Sequence, residues 1–169
     1  MTFSTDVPPS PPEVLRPVRE SQVSTTELVL PNDANILGNL LGGRLMHLID
    51  LTAAIAAARH SHLVCVTASV DDLTFLAPVK TGEVVQLLAS VNRVFNTSLE
   101  VGVKVFAENL LTGKKVHANS AYLTFVGLNT EGKPTHSPQV LPETADERRR
   151  FEAALIRRNA RLEKRKHSG

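Results

Sequence analysis

Residues 42–58 read GGRLMHLIDLTAAIAAA and predict an α-helix whose circumference is mostly apolar. A helix that is apolar nearly all round is normally buried. Asp50 interrupts this pattern, and a buried carboxylate without a partner is energetically costly. We therefore expect Asp50 to be either paired with a polar group or functional.

Strand patterns lie on both sides of this helix. A first strand, Thr25–Leu30, ends at Pro31, and a loop rich in turn formers leads from Asn32 to Leu41. After the helix the apolar residues recur at every second position, which is typical of strands; the segments are 64–71, 83–95, 99–106 and 116–127. In the first of these, Val64, Val66 and Val70 share one face, as in a half-buried strand. A curved antiparallel sheet wrapped around the helix would bury it, so the fold class is α+β.

The chain divides into four segments by composition. Residues 1–22 are rich in proline and polar residues, which predicts a flexible arm. Residues 23–128 form the folded domain, and residues 129–142 form a polar, Pro-rich linker. Residues 143–169 form a basic helix, whose start is indicated by the capping pattern of Thr144 and Glu147.

The length, net charge and cysteine content of the chain limit the classes of function that it can have. A chain of 169 residues forms one domain with tails, and a formal net charge of +2 indicates neither a nucleic acid nor a membrane as partner. The single cysteine, Cys65, excludes an internal disulfide and lies in an apolar run typical of a core. No membrane span or signal peptide is indicated, so we expect a cytoplasmic protein. His60 and His62 lack a third ligand at a useful spacing, so no metal site is expected.

The glycine pair at the helix start suggests chemistry. Glycine inside a helix costs about 1 kcal/mol relative to alanine, so Gly42 and Gly43 are unfavourable unless something approaches closely. The first N–H groups of a helix lack intrahelical partners and favour negative charge. A ligand carbonyl could reach these donors, as in an oxyanion hole suited to acyl transfer. The alternative is that the glycines only allow tight packing between loop and helix.

Two polar side chains near this helix start are candidate catalytic residues. Asp50 lies two turns further along and could act as general base or nucleophile toward a carbonyl. Asn35 could orient water or polarise that carbonyl. The structural alternatives are a buried aspartate that accepts backbone hydrogen bonds and an asparagine that forms a turn.

Two clusters could hold the phosphates of a nucleotide-tailed ligand. The first lies at a strand junction and consists of Arg93, Asn96, Thr97 and Ser98. The second lies at the start of the basic helix and consists of Arg148 and Arg149. A solvated basic face is the alternative for the helix.

Three motifs together resemble the acyl-CoA hydrolase branch of the hot-dog thioesterases. They are DANILGNLLGGRLMHLID at 33–50, DLTFLAPVKTGE at 72–83 and TSLEV at 97–101. The resemblance extends over about residues 23–127, outside the N-terminal arm and the basic tail. Leu41 departs from the pattern, because relatives often carry histidine or an aromatic residue there, so the acyl pocket is expected to differ.

The resemblance implies a hot-dog fold that hydrolyses acyl-CoA to a free acid and CoA. It implies a dimer with a continuous sheet, commonly assembled into a hexamer, in which Asn35 and Asp50 face each other from different protomers. The Gly43 amide would polarise the thioester carbonyl, and Asp50 would act as base or nucleophile. CoA would lie near Arg93–Ser98, with Gly42 at the helix start and Arg148 and Arg149 as phosphate ligands. No separate cofactor is expected, since CoA is part of the substrate.

Two other functions compete with hydrolysis. A non-catalytic acyl-CoA sensor on the same fold would not need both Asn35 and Asp50, and it would usually carry a DNA-reading element. The Pro-rich arm does not fit a helix-turn-helix, and nucleic-acid binding is supported only weakly, by the basic helix. A hot-dog hydratase would need an Asp/His pair, and no histidine is suitably placed.

Overall fold

The computed structural model describes residues 14–167, apart from the side chain of Asp72. Seven strands and two helices follow one another: β1 Leu15–Pro17, β2 Val23–Leu28, α1 Gly42–Ser61, β3 Val64–Phe75, β4 Val84–Val94, β5 Ser98–Glu108, β6 Lys115–Leu128, β7 Gln139–Leu141 and α2 Ala145–His167. The predicted central helix, antiparallel meander and C-terminal helix are confirmed. The strand boundaries agree with the sequence patterns to within a few residues.

Helix α1 begins directly at the glycine pair and runs three residues further than the pattern indicated. Its last turn ends at His62, which adopts a left-handed conformation with φ 55° and donates its N–H to the Ala58 carbonyl. That geometry terminates helices by satisfying a free carbonyl of the last turn. The helix start carries no side-chain cap.

The main sheet has the strand order β2-β4-β5-β6-β3, and all neighbours are antiparallel. Its two faces differ because side chains alternate along each strand. In β5 the buried residues Leu99, Val101 and Val103 belong to the same core as Leu45 and Ile49 of α1. The alternate β5 residues, beginning with Glu100, point to the opposite face. We call the α1 side the inner face and the other side the outer face.

Helix α2 covers part of the outer face. Its start has the predicted capping box: Thr144 Oγ1 accepts the Glu147 N–H, and the Glu147 carboxylate accepts the Thr144 N–H. Further along, Arg157 forms two hydrogen bonds with Glu100, whose side chain is fully buried. The other Glu100 bond comes from Asn92 Nδ2 at 2.9 Å.

The predicted flexible arm and the predicted linker each contain a short strand. The predicted arm, residues 1–22, lies outside the described residues up to residue 13, but the described part folds onto the domain. Strand β1 pairs in parallel with β7, and Val18 is buried behind it. Strand β7 also lies inside the predicted linker 129–142, so the arm and the linker each contribute one strand to a small two-stranded sheet. Sequence composition missed them because a three-residue strand buries little apolar surface by itself.

The prediction that α1 is buried all round is wrong for a single chain. One side of the helix packs on the sheet, but Met46, Leu51 and Ile55 are between 39% and 50% exposed. The prediction that one face of β3 is buried is also wrong for a single chain. Strand β3 is an edge strand, and Val64, Val66 and Val70 are exposed. Exposed apolar side chains on an unpaired edge strand are typical of surfaces used for association.

Within residues 14–167, no helix is both long and apolar enough to cross a membrane. Cys65 is half-buried, with its Sγ 3.2 Å from Ser61 Oγ. Burial raises the pKa of this thiol, which disfavours the reactive thiolate and fits a packing role.

Candidate active site

Asp50 lies half-buried on the open side of α1, facing the edge strand. Its Oδ1 accepts a hydrogen bond of 2.7 Å from Thr67 Oγ1 on β3. No other hydrogen bond or ion pair of this carboxylate is formed with a described residue. An ionised carboxylate can accept about four hydrogen bonds, so Asp50 retains most of its capacity for water or a ligand.

A cavity of about 420 Å³ contains both the Asp50 carboxylate and the start of the helix. Its lining comes from α1, from β3 and from one residue of β6: Gly43, Met46, His47, Ile49, Asp50, Thr67, Val70, Leu73 and Leu123. Most of these side chains are apolar, and several of them, such as Met46 and Val70, are exposed in the single chain, so the cavity opens to the surface. Mostly apolar walls with a few convergent polar groups are typical of small-molecule sites.

The two glycines at the helix start have different surroundings. A Cβ added to Gly42 would lie 3.4 Å from the Phe75 ring, whereas one added to Gly43 would meet no atom within 4 Å. A side chain at Gly42 would thus make an ordinary van der Waals contact with that ring, whereas the space around the Gly43 Cα is open. Since Leu41 supplies no side-chain cap, the amides of the first turn keep their capacity to donate.

Asn35 lies in an exposed but well-fixed loop. Its Oδ1 accepts the N–H groups of Leu37 and Asn39 at 3.0 and 3.1 Å, which is the turn geometry expected of such a residue. Its Nδ2 group makes no hydrogen bond with a described residue and remains available as a donor. Arg44 fixes this loop through Asp33 at 3.4 Å and also contacts Glu27 at 3.0 Å. Asn35 does not line the Asp50 cavity of its own chain.

The predicted strand junction is a tight turn between β4 and β5, where Phe95 N–H bonds to the Ser98 carbonyl. Asn96 is exposed, and Thr97 and Ser98 are half-buried. Ser98 pairs with Val126, which pairs with Val66 of β3. The turn is thus about 10 Å, or two strand spacings, from the strand that carries Thr67.

The predicted arginines are not gathered at this turn. Arg93 packs under α2, with its guanidinium 4.0 Å from the Phe151 ring and bonded to the Phe151 carbonyl. Arg149 is paired with Asp146, and Arg148 bonds to the Glu143 carbonyl.

The cation of α2 beside the turn is Arg158, which lies 4.6 Å above the Phe95 ring. Arg148 precedes it by ten residues, or about 15 Å of helix.

Sequence reasoning missed Thr67, Arg158 and Arg44 as parts of this arrangement. Thr67 has no local signal, because a threonine in a strand is ordinary and its link to Asp50 depends on how β3 packs. Arg44 follows the glycine pair, where a cation opposes the helix dipole. This unfavourable position of Arg44 indicates, from the sequence alone, that nearby carboxylates stabilise its charge.

Among the residues from 14 to 167, no group of three histidine, cysteine or acidic side chains is placed to hold a metal ion.

Comparison with known proteins identifies the family. The model of the thioesterase superfamily matches residues 37–114. An uncharacterized acyl-CoA thioester hydrolase of Bacillus subtilis, YkhA, is 43% identical over 89% of this chain and 87% of its own length. An acyl-CoA thioesterase solved as an apo hexamer has a TM-score of 0.87 at 38% identity, covering 89% of this chain and 97% of that one.

An acyl-CoA hydrolase of Staphylococcus aureus, solved with butyryl coenzyme A and coenzyme A, has a TM-score of 0.84. The two sequences are 38% identical, and the match covers 91% of this chain and 96% of the Staphylococcus aureus chain. Alanine variants of that enzyme have been solved at an asparagine, an aspartate and a threonine. These three residues have the same order and spacing as Asn35, Asp50 and Thr67. The chain belongs to the thioesterase superfamily, in its acyl-CoA hydrolase branch, and has the hot-dog fold.

Proposed function

We propose that this protein hydrolyses acyl-CoA thioesters to the free acid and CoA, with Asp50 as the catalytic carboxylate. The observation that carries the proposal is that the Gly43 end of α1 and the Asp50 carboxylate line one mostly apolar cavity. The Gly43 amide would hold the thioester carbonyl oxygen, where negative charge develops during the reaction. Asp50 would lie on the far side of the carbonyl carbon.

Asp50 acts in this proposal as general base or as nucleophile. As a base it takes a proton from water, the resulting hydroxide adds to the carbonyl carbon, and the carbon–sulfur bond then breaks. The proton finally passes to the CoA sulfur, so that acid and thiol leave together. Thr67 is a positioning residue, because its hydroxyl occupies one lone pair of Oδ1 and fixes the carboxylate.

The second half of the site comes from a partner protomer. Among residues 14–167, the Asn35 Nδ2 group has no hydrogen-bond acceptor, Asn35 does not line its own Asp50 cavity, and apolar residues on α1 and on the β3 edge are exposed. Pairing of two β3 edges would cover these apolar residues and extend the sheet across both chains. The hexameric relative supports such association, and we propose that dimers of this kind assemble further into hexamers.

CoA would lie along the β4–β5 turn. Asn96, Thr97 and Ser98 offer hydrogen-bonding groups, and Arg158 beside them supplies a positive charge for a phosphate. Arg93 is held by α2 and would support the turn indirectly. Arg148 and Arg149 lie further along the helix and have partners in the chain, so they are weaker phosphate ligands than the sequence indicated.

The direct test is release of CoA from a panel of acyl-CoA esters, followed with a thiol reagent. Wild type should turn over at least one ester, and Asp50→Asn should lose about 10²–10⁴-fold in kcat, as expected when a general base is removed. The matched control is Asp146→Asn, which changes an exposed aspartate of α2 and should keep full activity. Equal kcat in wild type and Asp50→Asn would refute the mechanism. Binding of acyl-CoA without turnover by wild type would favour the sensor alternative.

A further inference from the structure

Helix α2 crosses the outer face of the sheet in a definite direction. Near its start, the Phe151 ring and carbonyl contact Arg93 of β4. Further along, Arg157 contacts Glu100 of β5 and lies 3.6 Å above the Tyr122 ring of β6. Next, Arg161 bonds to Asp71 of β3 at 2.5 Å. The helix therefore travels from β4 toward the β3 edge.

The rise of the helix matches the width of the sheet it crosses. Ten residues separate Phe151 from Arg161, which is about 15 Å of helix. Three strand spacings separate β4 from β3, which is about 14 Å. Helix α2 thus runs nearly perpendicular to the strands and reaches the sheet edge at Arg161.

The remaining turns extend past that edge. Leu162–His167 adds six residues, or about 9 Å, which corresponds to nearly two further strand positions. Within residues 14–167, no strand lies beyond β3 for this overhang to rest on. The hydrogen bonds of Lys166 and His167 stay inside the helix, on Glu163.

The overhang has the composition of a contact surface. Leu162 is 37% exposed and lies on the same flank of the helix as Leu155, two turns earlier. Arg165 follows Arg161 by about one helical turn and therefore lies on the same face of α2. Leu162 beside Arg165 is suited to a surface in which a polar sheet face adjoins the apolar flank of a helix.

We propose that Leu162–His167 is an intersubunit clasp that lies on the outer face of a second copy of this chain. The inference rests on the proposed dimer: when two β3 edges pair, the next two strand positions are those of the partner. Related by a two-fold axis, the two α2 helices then pass each other antiparallel. Each Leu162 packs between the partner's sheet and the partner's helix. The clasp thereby holds together the two chains that share Asn35 and Asp50.

The experiment compares self-association of the full chain with two variants. A chain that ends at Arg161 lacks the clasp, and Leu162→Glu places a charge at its apolar anchor. The matched control is Leu111→Glu, which makes the same change at a 98% exposed leucine in the β5–β6 turn. Sedimentation velocity over a dilution series measures the dissociation constant, and circular dichroism verifies folding.

We expect the dissociation constant to rise at least about tenfold in both clasp variants, the effect of losing a well-buried interface side chain. Activity per chain should fall at correspondingly higher concentrations, while Leu111→Glu stays at the wild-type value. Unchanged association of a folded Leu162→Glu and of the truncated chain overturns the clasp alone. A wild type that hydrolyses acyl-CoA as a monomer overturns both the clasp and the shared site, whereas association without hydrolysis overturns only the catalytic proposal.

Discussion

Asp50 on helix α1, which packs on the inner face of the sheet, and Glu100 on the outer face are two acidic side chains with opposite surroundings. Glu100 is 0% exposed and accepts three hydrogen bonds, two from Arg157 and one from Asn92. Asp50 is half-buried and accepts one, from Thr67. The carboxylate that is fully satisfied by its own chain can do little besides holding α2 in place. The carboxylate that keeps free lone pairs beside a cavity is the one available for chemistry.

This contrast explains why burial alone is a poor guide to function. A buried charge persists in a fold only when it is paired, and such pairs are weak indicators of stability or activity. The outer face therefore serves as a scaffold that fixes β5, β6 and β3. The inner face leaves Asp50 and the Gly43 amide partly unsatisfied, which a water molecule, a substrate or a partner chain can use.

The largest effect on stability is expected when Glu100 is replaced. Glu100→Ala leaves the Arg157 guanidinium without its carboxylate, and we expect about 3–5 kcal/mol to be lost from the free energy of unfolding. Urea unfolding measures this loss. The control, Glu152→Ala on α2, removes a largely exposed carboxylate 3.9 Å from Arg93 and should cost under about 1 kcal/mol. A folded, stable Glu100→Ala that loses catalysis as completely as Asp50→Asn would invert the two roles.

A smaller effect is expected at Thr67, which is the only side chain among residues 14–167 that forms a hydrogen bond with Asp50. Thr67→Val keeps the volume of the residue and removes its hydroxyl, so the carboxylate loses its fixed orientation. We expect kcat to fall about tenfold, or about 1.4 kcal/mol in the barrier, with KM changed less. Steady-state hydrolysis measures both constants, and Thr130→Val in an exposed turn is the control. Wild-type kcat in Thr67→Val would show that this hydrogen bond has no catalytic role.

The smallest effect concerns His60, a buried polar group that is only half satisfied. Its Nε2 donates to the Pro138 carbonyl at 2.8 Å, but its buried Nδ1 has no partner in the described chain. Burial lowers the pKa of His60 below its ordinary value of 6.5, despite that hydrogen bond, and Arg16 adds to the lowering. Glu20 acts in the opposite direction, and His62 lowers the pKa slightly.

Stability follows from the sign of that shift. The unfolded chain binds a proton at His60 at higher pH than the folded chain, so stability is full above pH 6.5 and decreases on acidification below it. His60→Gln keeps a donor for Pro138 and cannot titrate. Urea unfolding at neutral and mildly acidic pH should therefore show a larger loss in wild type than in the variant. Equal losses would assign the acid sensitivity to other groups.

Much of the fold follows from the sequence because its signals are local. The glycine pair and the apolar run define α1, alternating valines define the long strands, and the Thr144–Glu147 box defines the start of α2. The candidate residues Asn35, Gly43 and Asp50 were also found in this way. Each of them conflicts with its local pattern or belongs to a motif.

The remaining features depend on contacts between distant segments. The link between Thr67 and Asp50 needs the packing of β3 against α1, and the short strand β1 exists only because β7 is beside it. Arg93 has the residue type of a phosphate ligand, but α2 covers it through Phe151, a contact that the sequence does not reveal. Residues of the edge strand looked half-buried because alternation does not reveal which strand is last in the sheet.

The most direct test of the account is complementation between two inactive chains. Asn35→Ala and Asp50→Ala should each be nearly inactive, and their equimolar mixture is refolded together so that the subunits exchange. If each site uses Asn35 of one chain and Asp50 of the other, half of the dimers are mixed and each has one intact site. The mixture should then regain about a quarter of the wild-type kcat per chain. No recovery, with mass spectrometry showing that mixed dimers have formed, would contradict the shared site.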